Sequence, residues 1–288
     1  MLDQRSLLGV SLMVLVAGFS AVDAVLVRFL SGDVHPVVMA FTRAAFGALA
    51  MLPWILSRPG IMRTSRHWLH VLRATLKLGS LIALFAALAS APLATVTAIG
   101  FAAPLFVTVG AWILFRETPR ATRIAGALLG FVGIVVLLRP TGGEMNVALI
   151  YALISALLVG TIQLMLKYMG RTENADTLVA WNLVVTVPIA LIPAIWFWAT
   201  PTPFEWMLLG LQGALGAGNQ FLVTKAFQLA DASLVAPVDF LRLPFVAAAA
   251  YLFFGEVSDQ ATWIGAGLIV VAIFMIAASS RIRPVPGP

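Results

Sequence analysis

Asp239 and Arg242 stand three residues apart in "ASLVAPVDFLRLPF" (Ala232 to Phe245), an acid and a base in a stretch that is otherwise almost wholly apolar. Positions i and i+3 share a helix face, so the two can form an ion pair. Asp23, Arg43, Lys77, Gln163, Asn182, Asn219, Gln220 and Lys225 interrupt comparable apolar runs. A charged group within a bilayer costs roughly 3 kcal/mol unless it pairs or faces a cavity, so each is a candidate for solute contact. Asp239 and Arg242 read either as a lock within the bundle or as a substrate or gating contact. Asp23 either receives a substrate ammonium or a proton, or neutralises Arg43; pairing is the expectation. Asn219 and Gln220 follow "GALGAG", where small residues let helices approach and the amides bond a ligand or a neighbouring helix. Lys77 and Lys225 either snorkel towards an interface or face a cavity.

Trp112, Trp181 and Tyr251 suit a pocket for an aromatic solute, or the interfacial and packing roles usual for membrane aromatics. Pro104, Pro188, Pro193, Pro237 and Pro244 interrupt apolar runs; each frees a carbonyl and favours a kink. Pro104, Pro237 and Pro244 are the hinge candidates. Chemistry of the enzymatic kind finds little support. No carboxylate cluster accompanies His35, His67 and His70, so no metal site is expected. No phosphate loop, nucleophile elbow or Walker motif is visible. No catalytic residue, no cofactor and no direct coupling to ATP are therefore expected. A chain without cysteine has neither disulfides nor thiolate ligands.

The elements that must hold these residues are set by composition. Of 288 residues, 61% are hydrophobic and only 10% charged, with a mean hydropathy of +1.01, against about 25% charge in ordinary globular domains. The solvent implied is a lipid bilayer. The 18 basic residues, against 12 acidic ones, punctuate apolar runs instead of clustering, which gives no nucleic-acid surface. The first residues imitate a secretory signal ending near Ala24, but the apolar run resumes as "VLVRFL", so an uncleaved first helix is expected. Cutting at charged, proline and glycine punctuation gives ten candidate helices, about 7–30, 36–56, 69–90, 94–115, 121–139, 146–169, 177–199, 204–228, 232–254 and 260–280. The fold class expected is an all-α integral membrane protein of ten transmembrane helices.

Lys and Arg orient the bundle. Arg58, Arg63, Arg66 and Arg73 crowd the second connection, Arg116, Arg120 and Arg123 the fourth, Arg171 the sixth, and Arg281 and Arg283 the tail. The alternate connections are poor in bases, with Arg28 and Arg139 at their edges. Both termini are then expected to be cytoplasmic.

The chain also repeats itself at an offset of about 139 residues. "FRETPRATRIAGALLG" (Phe115 to Gly130) aligns with "FGEVSDQATWIGAGLI" (Phe254 to Ile269), matching Phe115, Glu117, Gly126 and Ala127 to Phe254, Glu256, Gly265 and Ala266. "ALASAPLATV" aligns with "AFQLADASLV", Pro104 with Pro244 after a one-residue shift, and Arg28 with Lys167. Five helices per copy invert the second relative to the first, so residues 1–140 and 141–288 read as two inverted halves. Inverted repeats are a recurring basis of secondary transporters. The stretch matching Asp239 and Arg242, "TAIGFAAPLF", has no charge, which leans towards a one-sided role for that pair.

Two five-helix halves, each with a [L/F]-x-E turn after its fourth helix and a glycine in its fifth, resemble the EamA-type drug/metabolite transporter superfamily. Within it, length and pattern are similar to the YddG-type bacterial exporters of aromatic and other amino acids. The resemblance implies an inner-membrane secondary exporter of amino acids and related small metabolites, working by alternating access through a central cavity between the halves. It implies a small-molecule partner and no enzymatic activity; the oligomeric state is left open.

Overall fold

A computed structural model describes residues 4–58, 60–115, 121–138, 146–230 and 232–278, and among them every regular element is helical. Glu117, Arg116, Arg120, Arg139, Arg281, Arg283 and the expected boundary between the halves lie outside the described residues. So do the side chains of Phe115, Arg123 and Pro237. The apolar runs fall on α1 (Gln4–Leu30), α2 (Pro36–Leu56), α3 (His67–Ser90), α4 (Leu93–Gly100), α5 (Ala103–Phe115), α6 (Ala121–Leu138), α7 (Val147–Met169), α8 (Ala175–Trp196), α9 (Pro203–Leu229), α10 (Ala232–Val235), α11 (Arg242–Phe254) and α12 (Gln260–Ala278).

Local chemistry sets the helix ends. Thr202 and Glu205 form a reciprocal capping box across Pro203, the first residue of α9, which satisfies donors that no turn can reach. Asn146 caps α7 by accepting from the Ala148 N–H at 3.0 Å. Gly255, at φ 66°, ends α11 in the left-handed conformation that a side chain disfavours.

Two of the ten expected helices are not continuous. The run 94–115 breaks at Phe101 and Ala102 between α4 and α5; the run 232–254 passes through a 3-10 segment, Ala236–Leu241, between α10 and α11. A proline favours each break. A proline ring removes an N–H and collides with the carbonyl four residues earlier. For Pro104 that carbonyl belongs to Gly100, the last residue of α4; for Pro244 it belongs to Phe240, inside the 3-10 segment. The breaks tighten instead of opening: Ala102 N–H donates to Ile99 at 2.9 Å and Leu105 N–H to Ala102 at 2.9 Å. Pro188 and Pro193, by contrast, lie within an unbroken α8.

Six helical stretches among the described residues are long and apolar enough to cross a bilayer: α1, α2, α3, α4 with α5 through Leu114, α7 and α8. Large apolar side chains such as Leu49, Leu128, Ile192 and Leu252 remain exposed, as a lipid-facing surface requires. The main core gathers around the broken α4–α5 segment, with Phe85, Leu93, Ile99, Leu105, Leu137 and Ile269 fully buried.

The packing is two-fold. α1 packs on α9 as α3 packs on α7, α1 on α11 as α7 on α5, and α6 on α12. At that last contact a Cβ on Gly126 would meet the Ala272 carbonyl at 3.0 Å, and one on Gly265 would meet the Gly133 carbonyl at 2.9 Å. Adding 139 to 126 gives 265, and subtracting 139 from 272 gives 133, so the two contacts are one contact repeated about an axis. Phe101 and Phe240 also differ by 139, and their rings pack edge to face with centroids 5.0 Å apart. Residues related by a two-fold that touch each other lie on its axis. The axis therefore runs between the two helix breaks.

The connections sort onto two faces. On one, Arg28 Nε donates to Leu88 O at 2.6 Å and Arg28 Nη1 to Glu256 Oε1 at 2.7 Å, while Glu256 Oε2 accepts from the Leu93 N–H at 2.9 Å. His35 stacks on Phe197 there, centroids 4.0 Å apart. On the other, Arg58 pairs with Asp176 and Thr64 donates to Glu173 at 2.6 Å.

Glycine at the α6–α12 contact is required by backbone approach. Gly265→Leu should destabilise the bundle by roughly 1–3 kcal/mol, the usual cost of overpacking, read as a lower midpoint of thermal unfolding in detergent. Gly267→Leu, on the same helix but with nothing within 4 Å, should leave the midpoint unchanged.

Candidate functional site

His70, Arg73, Lys77 and Ser80 follow one another at helical spacing on α3 and form a single stripe. His70, Arg73 and Ser80 are buried, yet Lys77 between them is exposed. The exposed stripe of α3, Trp68 and Thr75, lies on another side. An open side chain within a buried stripe faces an opening inside the bundle. Lys77 Nζ donates to Asn182 Oδ1 of α8 at 2.7 Å. Asn182 is buried, and its Nδ2 has no partner. Arg73 Nη2 donates to the Leu178 carbonyl, also on α8. Arg43 and Arg73 are the charges that act on Lys77, and no carboxylate pairs with it among the described residues.

Asp23 and Arg43 form the expected pair between α1 and α2, each side chain about one-fifth exposed (16% and 20%). The Arg43 guanidinium lies 5.7 Å from the Phe85 ring centroid and rests against Gly216 of α9, where a Cβ would come within 3.0 Å of Arg43 Nε. One helical turn before Gly216, Gln212 is fully buried, and neither atom of its amide has a partner. The sequence reading passes over Gln212; an amide inside the apolar run 204–228 is the signal that marks it.

The Asp239–Arg242 pair survives the break in its helix. Asp239 lies in the 3-10 segment and Arg242 opens α11, with Arg242 Nη2 3.6 Å from Asp239 Oδ2. Three residues per 3-10 turn bring i and i+3 into line. Arg242 also sits over the Phe101 ring at 4.9 Å, so the charged stretch of the second half caps the axial phenylalanine of its uncharged counterpart in the first.

Other candidates do not join this cluster. Asn219 Nδ2 donates to Ser20 Oγ at 3.0 Å and ties α9 to α1. Gln163, Gln220 and Tyr251 are exposed on α7, α9 and α11. Lys225 lies 5.9 Å from the Phe221 ring. Trp112 lines an apolar groove of about 130 Å3 with Thr108, Ile124 and Phe131. Trp181 donates to the Met62 carbonyl at 3.0 Å and stacks on His70 at 5.0 Å. The three aromatics thus lie in separate settings instead of forming one aromatic pocket. An open groove of about 470 Å3, lined by Arg58, Ile61, Asn174 and Asp176, lies on the basic face beside the second and sixth connections. On the opposite face, desolvation lowers the His35 pKa from its ordinary value; the neutral ring keeps Nδ1 as the acceptor of the Val37 N–H.

If Asp23 and Arg43 stabilise each other, removing one strands the other. A double-mutant cycle on Asp23→Ala and Arg43→Ala should give a coupling of roughly 1–3 kcal/mol in unfolding free energy. Additive losses would show an uncoupled pair.

The fold has known counterparts. A solved crystal structure matches with a TM-score of 0.61 over 95% of this chain and 99% of its own, at 20% identity, which shows the fold alone. The chain is 30% identical to the S-adenosylmethionine uptake transporter of Rickettsia prowazekii, over 91% of this chain and 90% of that protein. It is 34% identical to the riboflavin transporter of Rhizobium johnstonii, over 85% and 82%, and 28% identical to the pseudopaline exporter CntI of Pseudomonas aeruginosa, over 95% and 97%. These relatives do not single out amino acid export. The model of the EamA-like transporter family matches twice, at residues 7–139 and 146–278, an offset of 139 (146 minus 7) that equals the spacing of the axial contacts. With both halves of its two-fold accounted for in this way, the chain belongs to the EamA-like transporter family.

Proposed function

We propose that this protein is a secondary transporter that carries small organic metabolites, foremost amino acids and solutes containing an amino acid group, by rocking its two halves about the axis through Phe101 and Phe240. The contact of these repeat-related rings at two broken helices carries the reading. It leaves the halves meeting at an interface with two pseudo-equivalent arrangements, which is what alternating access needs. The Arg28–Glu256 cluster then closes one face, and the Arg58–Asp176 and Thr64–Glu173 contacts the other.

The same reading assigns ten crossings of the bacterial inner membrane, with both termini cytoplasmic. The face formed by the second and sixth connections holds Arg58, Arg63, Arg66 and Arg171, whereas the opposite connections hold Asp33, Glu256 and Asp259. The positive-inside rule makes the basic face cytoplasmic. Export loads the solute from that face. The relatives' names give uptake for one and export for another. Their named solutes include S-adenosylmethionine, which carries an amino acid group, and riboflavin, which does not.

Flux in proteoliposomes tests this. Among labelled S-adenosylmethionine, riboflavin, Phe, Thr and Met, at least one should show saturable flux with counterflow, in both directions according to the gradient. No flux above protein-free liposomes, or chemical turnover of the solute, would contradict it. Asp23 and Asp239 are the acids lying away from the ends of the spans, so proton coupling should vanish in the Asp23→Asn, Asp239→Asn double variant; unchanged coupling would remove both from the proton path.

A further inference from the structure

We infer that Lys77 is the seat for a carboxylate on the transported solute, an inference that rests on the transporter reading and specifies its substrate class. Three observations converge on this residue. Its side chain is open while the stripe above and below it is buried, so it faces the interior and not lipid. An ammonium has three donors, and Asn182 Oδ1 takes one of them. The Asn182 amide that accepts from Lys77 is thereby fixed in orientation, which turns its Nδ2 into a second set of donors, buried and without a partner.

The unmet groups at this point are therefore all donors, and they come from two facing helices. What satisfies them is an acceptor with two oxygens. Charge selects among such acceptors. Asp23 cancels Arg43, whereas Lys77 and Arg73 have no carboxylate partner among the described residues, Arg73 bonding only to a neutral backbone carbonyl. This uncompensated positive charge at an interior opening favours an anion, and the two donor groups match the two oxygens of one carboxylate. Charge-assisted hydrogen bonds of this kind are about twice as strong as neutral ones. A solute without a carboxylate forgoes them and leaves Lys77 and Asn182 unsatisfied.

Acylation of Lys77 by acetic anhydride in the purified protein, read by mass spectrometry, tests the seat without a variant that must fold. Saturating L-phenylalanine, L-methionine and S-adenosylmethionine serve as carboxylate probes, L-phenylalaninamide and riboflavin as probes without a carboxylate. At least one carboxylate probe should slow acylation of Lys77 roughly tenfold, and the two others should not. Lys77→Gln should lower flux of that protecting solute by a similar factor. If no carboxylate probe protects Lys77, or if L-phenylalaninamide or riboflavin protects it equally, the inference is overturned. Protection without flux of any solute would keep the seat and reject the transporter reading.

Discussion

Hydrocarbon offers no hydrogen bonds, so any helix broken inside a membrane must satisfy its freed backbone groups within the protein. Among the described residues two helices break, at matching places in the two halves, and the rest of the architecture follows from that constraint. Pro104 and Pro244 favour the breaks, 3-10 geometry tightens them, and the breaks are set against each other. An interrupted helix facing lipid would expose carbonyls. Two interrupted helices facing one another share the burden and place irregular backbone where the halves meet.

Around this axis the protein separates rigid from adjustable contacts. The α6–α12 interface is backbone against backbone, with glycines where a methyl would collide; such a contact holds one geometry. At the ends of the bundle the contacts are ionic: Arg28 with Glu256 and two carbonyls on one face, Arg58 with Asp176 on the other. Ion pairs at an aqueous rim form and part at small cost. A scaffold fixed at its axial helices and latched at its rims is suited to rocking.

Much of this was legible in the residues. The repeat offset of 139 came from the glycine and Phe-x-Glu matches, and it recurs in the axial contacts. The asymmetry of Asp239 and Arg242 was visible because "TAIGFAAPLF" lacks charge, and the pair of Asp23 with Arg43 followed from the need to neutralise both. The break of the fourth and ninth runs was harder to read. Pro188 and Pro193 lie within a continuous helix, so a proline in an apolar run does not by itself separate a kink from an interruption. What decides is whether a neighbouring break packs against it, which is tertiary. Lys77 shows the same limit: hydropathy allows it to snorkel, and only the burial of His70, Arg73 and Ser80 turns it inward. Trp112 and Trp181 fit a pocket as types, but each finds separate packing.

The central claim is that the two halves move about their shared axis so that one face opens as the other closes. Because the chain has no cysteine, introduced pairs report alone, and pulsed electron paramagnetic resonance can measure distances across each face. Spin labels at Gly32→Cys with Val257→Cys and, separately, Arg63→Cys with Asn174→Cys straddle the halves on opposite faces. On addition of the solute carried best in the flux assay, the two distance distributions should shift in opposite senses. Distributions that stay fixed, or that widen together, would contradict rocking about the axis.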